Sequence, residues 1–117
     1  MPAINFTMFV DKIADGTKKQ TVRSDHKRAI KAGDPLYLYT DMGTKDARML
    51  KTVICKSVNG IMLMERLAQP HGNVALTGIY LEEFAHADGF ACYADMWAFF
   101  SKRVNNDGVF NGKLIKW

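Results

Sequence analysis

Cysteine, proline and long apolar runs are scarce in this chain of 117 residues. Cys55 and Cys92 lie far apart and show no CxxC or Cys/His spacing, so the sequence predicts two reduced, partly buried thiols and no zinc site. No apolar stretch approaches the ~18 residues that cross a bilayer, so we expect no membrane partner. The N-terminal residues lack a basic n-region and a long apolar h-region. We therefore expect no signal peptide and a cytoplasmic protein.

Recognisable catalytic and cofactor motifs are also lacking in the sequence. It has no phosphate-binding glycine loop, no serine-histidine-aspartate arrangement and no metal-ligand cluster, so no cofactor is expected. It has no internal repeat, linker or low-complexity tract either. Its length suits one domain, residues 1–117, and 48% hydrophobic with 24% charged residues is ordinary for a globular protein.

What the chain does have is a basic tract between Asp15 and Asp34. Its cations are Lys18, Lys19, Arg23, Lys27, Arg28 and Lys31, with Asp25 as the one acid between the end residues. Hydroxyl, amide and imidazole side chains are interleaved with them: Thr17, Gln20, Thr21, Ser24 and His26. The net charge of +4 permits a polyanionic partner, and a phosphate backbone could use the cations where they are concentrated. The tract predicts a binding cleft.

The first part of this tract reads as a polar strand over residues 18–23. Gly16 stands where a left-handed glycine would end the preceding helix. Both faces of the strand are polar, which indicates a sheet edge or a groove wall. Lys18 and Thr21 are three residues apart, so a regular strand sends them to opposite faces. They converge only if a bulge or turn interrupts residues 18–21.

The rest of the pattern predicts short strands and a few helices. Leu36 and Leu38 alternate with Tyr37 and Tyr39, so the leucines should face the core, and Tyr39 is a candidate for stacking on a base. Asn59-Gly60 is the strongest hairpin signal, and residues 93–104 have the clearest helical pattern. Strands outnumber helices without regular βαβ alternation. We predict an α+β fold, a small, mostly antiparallel barrel with flanking helices.

Several segments in this order resemble the ASCH domain of the PUA-like superfamily, and most closely the small single-domain proteins of phages and prophages. They are Gly16-x-Lys18-x-x-Thr21-Val22-Arg23, Gly33-Asp34-x-Leu36-Tyr37-Leu38-Tyr39, Val53-x-Cys55-Lys56-Ser57-Val58, Ala87-Asp88-Gly89-Phe90 and Phe110-x-Gly112-x-Leu114-Ile115-x-Trp117. The resemblance runs from Pro2 to Trp117. It implies a five- or six-stranded barrel and an RNA-interacting protein.

The resemblance also implies an enzymatic alternative. Some small bacterial members of the family are amidohydrolases that deacylate N4-acetylcytidine with a lysine, a threonine and a downstream glutamate. Lys18 and Thr21 match the first two. In the Ala87–Phe90 region the nearest carboxylate is Asp88, whereas Glu82 and Glu83 come earlier, so which carboxylate completes the site stays open.

The chemistry of these side chains fits that alternative. Thr21 would attack, or position a water, while Lys18 acts as the base once burial or a nearby cation lowers its pKa. A carboxylate would hold the substrate amine or transfer a proton. Arg23 suits phosphate or carboxylate, or else forms a salt bridge with Asp34 or Asp88.

The sequence therefore supports one leading interpretation and several rivals. The first is an RNA- or nucleotide-binding domain that uses a basic cleft in residues 18–31, with Lys18, Lys19, Gln20, Thr21, Arg23, Lys27, Arg28 and Tyr39 as the binding residues. The second is an amidohydrolase acting on N4-acetylcytidine or a related modified nucleoside, with Lys18, Thr21 and Asp88 as the catalytic residues. Ribonuclease activity and a phage accessory protein that binds a host protein are further alternatives. We expect a monomer or weak dimer without a bound metal.

Overall fold

The computed structural model describes residues 3–24, 30–104 and 107–117. Over these residues the chain has an α+β fold. The strands are β1 (Ala3–Phe6), β2 (Gln20–Arg23), β3 (Pro35–Thr40), β4 (Arg48–Ile54), β5 (Ser57–Met64), β6 (Leu67–Pro70) and β7 (Phe110–Lys116). The helices are α1 (Val10–Ala14), α2 (Gly78–Ala87) and α3 (Tyr93–Phe100), which continues into a 3-10 helix, Ser101–Arg103. Within the described ranges, no helix is long and apolar enough to span a membrane.

The strands form two sheets, and the short link between β4 and β5 is hydrogen-bonded to both of them. The first sheet has the order β1-β3-β4 with β1 parallel to β3, and the second has the antiparallel order β2-β7-β5-β6. Between β4 and β5 the chain passes directly from the first sheet to the second. The Cys55 N–H donates to the Asp34 carbonyl at 2.8 Å, and the Lys56 N–H donates to the Lys116 carbonyl at 2.7 Å. The prediction of a mostly antiparallel α+β fold is confirmed, whereas the described strands form two sheets and not the closed barrel that was also predicted.

Each sheet buries an apolar face. Leu36 and Leu38 of β3 are fully buried beside Ile13 of α1, while the two tyrosines of β3 are half-buried, so the predicted alternation is confirmed. The second sheet carries α2 and α3, whose apolar faces pack on it. The buried core on this side comprises Ile61, Leu63, Leu81, Phe84, Met96 and Phe100, together with neighbouring aromatic rings. Burial of these faces supplies most of the driving force for folding.

The predicted hairpin at Asn59-Gly60 is wrong. Both residues lie inside β5, and the chain turns after Met64, which pairs with Leu67 across a two-residue turn. A glycine is required at position 60 because His71 packs closely against it, and not because the chain turns there. A Cβ atom there would lie 2.5 Å from Nδ1 of His71, whose own N–H donates to the Gly60 carbonyl at 2.9 Å.

Two element boundaries also differ from the prediction, and one local prediction is confirmed. The strand expected from residue 18 begins at Gln20, and the helix expected over 93–104 ends as an α-helix at Phe100 before the 3-10 turn. Gly16 has a φ of +86° and its N–H donates to the Ile13 carbonyl at 3.3 Å, so it ends α1 in the left-handed conformation as predicted.

Candidate functional site

A cavity of about 370 Å³ lies where β1, β2, the turn after α2 and the end of α3 meet. This volume is in the range of small-molecule pockets, ~300–1,000 Å³. Its ionisable lining residues are Lys18, Arg23, Asp88 and Arg103, joined by the hydroxyl of Thr21. The apolar lining is made of phenylalanine rings: Phe6, Phe9, Phe90, Phe99, Phe100 and Phe110. The cavity therefore combines a few polar groups with aromatic walls.

Lys18 is buried, with only 3% of its surface exposed. The turn that ends α1 places it there, since the Lys18 N–H donates to the Lys12 carbonyl at 2.9 Å. Its Nζ donates a hydrogen bond to the backbone carbonyl of Asp88 and lies 3.6 Å from Asp88 Oδ1. Burial lowers the pKa of Lys18 to about 8; Asp88 opposes this shift and Arg23 adds to it. A lysine in this range can exchange a proton near neutral pH.

Asp88 follows α2 and is 2% exposed. Burial raises the pKa of its carboxyl to about 6, against the opposing effects of Lys18, the Gln20 amide and Arg23. Oδ1 of Asp88 and Nε2 of Gln20 have no hydrogen-bond partner among the described residues. A buried acceptor left without a partner is costly in a folded protein, and a ligand N–H would satisfy it.

Arg23 holds Thr21 from two positions further along β2. Its Nε donates to Thr21 Oγ1 at 3.1 Å, its Nη2 donates to the Asn5 carbonyl at 2.8 Å, and the guanidinium lies 4.7 Å from the centre of the Phe6 ring. No salt bridge joins it to Asp34 or Asp88 in the described structure. Asp34 instead accepts the Lys31 N–H at 2.9 Å. Arg23 is therefore fixed by hydrogen bonds and ring contact.

The convergence of Lys18 and Thr21 has a simple backbone cause. β2 begins at Gln20, so residues 18 and 19 have no strand geometry to force alternation. Lys18 and Thr21 consequently line the same cavity, which satisfies the condition set by their spacing. β2 also forms an edge of its sheet, as its polar sequence indicated.

Three further candidates lie elsewhere. Lys19 is exposed, and its carbonyl accepts the Trp117 N–H at 3.0 Å. Gln20 is buried, but it does not line the cavity. Tyr39 is half-buried on β3, opposite Asn5 and Met49, and is not part of the lining.

The last two candidates, Lys27 and Arg28, lie outside the described residues.

Among the carboxylates, Glu82 accepts the Tyr93 N–H at 3.1 Å and so supports the start of α3, while Glu83 is exposed. Asp88 is the acidic side chain that reaches Lys18.

The turn that carries Asp88 is held from the opposite side by α1 and the residues before it. Lys12 Nζ donates to the Gly89 carbonyl at 2.7 Å, and the Phe9 ring meets the Phe90 ring edge-to-face at 4.9 Å. Phe9 itself has a φ of 60°, which is uncommon for a residue with a side chain. This local strain places its ring directly against Gly89, beside Lys18.

Arg103 and the phenylalanine walls are the part of the site that sequence reasoning missed. The Arg103 guanidinium lies 4.8 Å from the centre of the Phe99 ring. Residues four apart lie on the same side of a helix, so the Phe99/Arg103 spacing is a signal that could have found the pair. The helical spacing of Phe99 and Phe100 is the usual pattern for a buried face, so it gives no sign that these rings line a cavity.

In the described parts of the chain, no group of three or more His, Cys, Asp or Glu side chains could hold a metal ion. Comparisons of the chain with protein-family models, curated proteins and solved structures found no match. Function is therefore inferred from the chemistry of the cavity.

Proposed function

We propose that this chain is a small ASCH-type domain of the PUA-like superfamily that hydrolyses the amide of an N4-acylated cytidine or a related modified nucleoside. The observation that carries the proposal is the meeting of Lys18, Thr21 and Asp88 at one cavity of nucleoside size. The passage of the chain from β4 into β5 across both sheets supports a barrel of the PUA-like kind.

The nucleophile in this mechanism is Thr21 Oγ1 or a water that it positions. A hydroxyl needs a base before it attacks an amide carbon. With a pKa of about 8, about one tenth of Lys18 is neutral at pH 7 and can accept that proton. The hydrogen bond from Arg23 Nε leaves the Thr21 proton free to be given away and stabilises negative charge on the oxygen.

The proton that Lys18 takes up is then used on the leaving group. Attack through Thr21 forms a bond from oxygen to the acyl carbon and gives a tetrahedral intermediate, whose negative oxygen the nearby cations stabilise. When the carbon–nitrogen bond breaks, the Lys18 ammonium returns the proton to the exocyclic nitrogen, and cytidine leaves. Water, deprotonated by the same lysine, attacks the acyl-threonine ester. The lysine returns that proton to Thr21 Oγ1 as the ester carbon–oxygen bond breaks and the carboxylic acid leaves. Direct attack by water needs the same two proton transfers.

Asp88 and the aromatic walls orient the substrate. Oδ1 of Asp88, which pairs with Lys18 but accepts no hydrogen bond from a described residue, accepts the substrate amide N–H and so fixes the scissile bond beside Lys18. The phenylalanine rings offer faces on which a pyrimidine stacks, a contact worth ~1–3 kcal/mol per base. The nearby rings also keep water from the lysine, which maintains its lowered pKa.

The decisive experiment measures release of cytidine from N4-acetylcytidine by the wild type and matched variants. Lys18→Met removes the base with little change in length, and Lys45→Met makes the same change at an exposed position on another loop. We expect wild-type and Lys45→Met turnover, and a loss of at least about 100-fold in Lys18→Met. Folded wild type without turnover would contradict the proposal, as would normal turnover by Lys18→Met.

Thr21 is tested by a pair of variants. Thr21→Val removes the hydroxyl at nearly constant size, and Thr21→Ser restores it. Loss in the first with recovery in the second is the expected result, because both catalytic routes need that oxygen. Equal activity in the two variants would remove Thr21 from the mechanism.

RNA or nucleotide binding without chemistry is the second candidate. Its support is the excess of cations over carboxylates around the cavity, to which the basic tract contributes Lys18 and Arg23. RNA affinity should then fall steeply with salt, and charge reversal at Lys27 and Arg28 should weaken it further. Absence of salt-dependent RNA binding would end this candidate.

A further inference from the structure

The charge that lines the cavity is not balanced. Three cations, Lys18, Arg23 and Arg103, face a single carboxylate, Asp88. Among the described side chains, Asp88 lies within ion-pair distance of Lys18 alone, at 3.6 Å. Arg23 and Arg103 therefore have no carboxylate partner in the parts of the chain that the structure describes, which leaves two positive charges in excess at the cavity.

The two guanidinium groups are placed by aromatic rings of the cavity wall. Arg23 lies 4.7 Å from the centre of the Phe6 ring, and Arg103 lies 4.8 Å from the centre of the Phe99 ring. Both rings line the same cavity as the arginines. Ring contact orients a planar guanidinium. Arg23 already donates from Nε to Thr21 and from Nη2 to the Asn5 carbonyl, so among the described contacts its Nη1 N–H groups and the guanidinium of Arg103 are left for a ligand.

The arginines are also close enough to repel each other. Burial is the main cause that lowers the pKa of Arg23, Asp88 opposes it, and the positive charge of Arg103 lowers it further. Two like charges held near each other destabilise the empty site, and an anion bound between them removes the repulsion. Phosphate fits, because it carries about −1.5 to −2 charges as a monoester and matches the guanidinium fork.

We propose that Arg23 and Arg103 form a subsite for a phosphate group, so that the preferred substrate of the cavity is a phosphorylated nucleoside and not the free nucleoside. This inference rests on the proposed hydrolase activity and names its substrate class. The phosphate can belong to a mononucleotide or to an RNA chain, since both offer the same anionic oxygens beside a base.

The test compares kcat/KM for N4-acetylcytidine, its 5′-monophosphate and a short RNA that contains the same nucleoside. The wild type should prefer a phosphorylated form by about tenfold or more, the usual effect of a charge-assisted hydrogen bond. Arg103→Gln should reduce that ratio towards one. Arg66→Gln, at the exposed β5–β6 turn, is the matched control and should keep the wild-type ratio. The better phosphorylated substrate identifies the source of the phosphate.

A binding measurement separates failure of the subsite from failure of the hydrolase. Cytidine and cytidine 5′-monophosphate are titrated by calorimetry into the wild type and Arg103→Gln. Tighter binding of the monophosphate that depends on Arg103 supports the subsite even if no substrate is hydrolysed. Hydrolysis of N4-acetylcytidine without a phosphate preference in either assay overturns the subsite and leaves the hydrolase standing. No preference and no hydrolysis overturns both.

Discussion

Lys18 and Asp88 are separated by 70 positions in the sequence, yet Nζ of one lies 3.6 Å from Oδ1 of the other, and each side chain is 3% exposed. A buried ion pair of this kind is weak evidence of stabilisation, because removing both charges from water costs several kcal/mol. Burial moves both pKa values towards neutrality, to about 8 for Lys18 and about 6 for Asp88. Perturbed pairs in a cavity are typical of sites that move protons.

The first prediction concerns the pH dependence of turnover. Because Lys18 must be neutral to act as the base, kcat/KM for N4-acetylcytidine should rise about tenfold per pH unit below about 8 and level off above it. Below about pH 6, protonation of Asp88 removes its negative charge, which weakens it as the acceptor for the substrate amide and makes the fall steeper. The two apparent values belong to the coupled pair. Initial rates across this range provide the measurement.

A control separates the contributions of the two groups to the profile. In Asp88→Asn the steeper fall below about pH 6 should disappear, while the limb that reports the lysine remains. A profile that is flat between pH 6 and 8 in the wild type would contradict the assignment of Lys18 as the base.

The second prediction concerns the pH dependence of stability. The pKa of Lys18 falls from 10.5 to about 8 on folding, so between these values the unfolded chain binds more protons than the native chain. The free energy of unfolding should therefore gain a contribution that grows as pH rises from 8 to 10.5, by at most about 3 kcal/mol. Asp88 has the opposite sign of slope: its pKa rises from 3.8 to about 6, so its contribution falls as pH rises through that window.

Urea unfolding of the wild type and Lys18→Met at several pH values measures the lysine contribution. The stability of the wild type relative to the variant should increase between pH 8 and 10.5, whereas Lys45→Met should follow the wild type throughout. If the difference in the free energy of unfolding between the wild type and Lys18→Met does not change with pH, folding does not lower the pKa of Lys18.

The local geometry of the site was predictable where short-range rules decide it. The glycine at the end of α1 and the alternation along β3 follow from backbone and burial preferences, and both were predicted. The three-residue spacing of Lys18 and Thr21 also indicated that their side chains converge only if the strand is interrupted before residue 21. The structure meets that condition by starting β2 at Gln20.

The rest depended on contacts distant in sequence. Asn59-Gly60 has the chemistry of a turn, but pairing of β5 with β7 and the approach of His71 decide its conformation instead. The Phe99/Arg103 spacing indicates that these two side chains meet, but Arg103 reaches the cavity because α3 packs on the second sheet, and that packing is a long-range contact. Which carboxylate lies beside Lys18, Asp88 or Glu82, likewise depends on where α2 ends relative to that lysine.

The third prediction tests the close contact between Gly89 and Phe9. Gly89 has a φ of +101°, and a Cβ atom there would lie 2.8 Å from the Phe9 ring. Gly43 has a similar φ of +85° with nothing within 4 Å, so it is a matched control. Alanine at either position should lose about 1–2 kcal/mol for the left-handed backbone. Gly89→Ala should lose a further ~1–3 kcal/mol because the ring is displaced.

Urea unfolding of the two alanine variants measures this difference directly. The activity of Gly89→Ala should also fall, because the Phe9 ring lies 5.6 Å from Lys18 Nζ and Gly89 follows Asp88 directly in the chain. Gly43→Ala should keep wild-type turnover, since its loop is remote from the cavity lining. Equal stability losses in the two variants would mean that Phe9 moves aside without strain, and that the turn holding Asp88 does not depend on this ring.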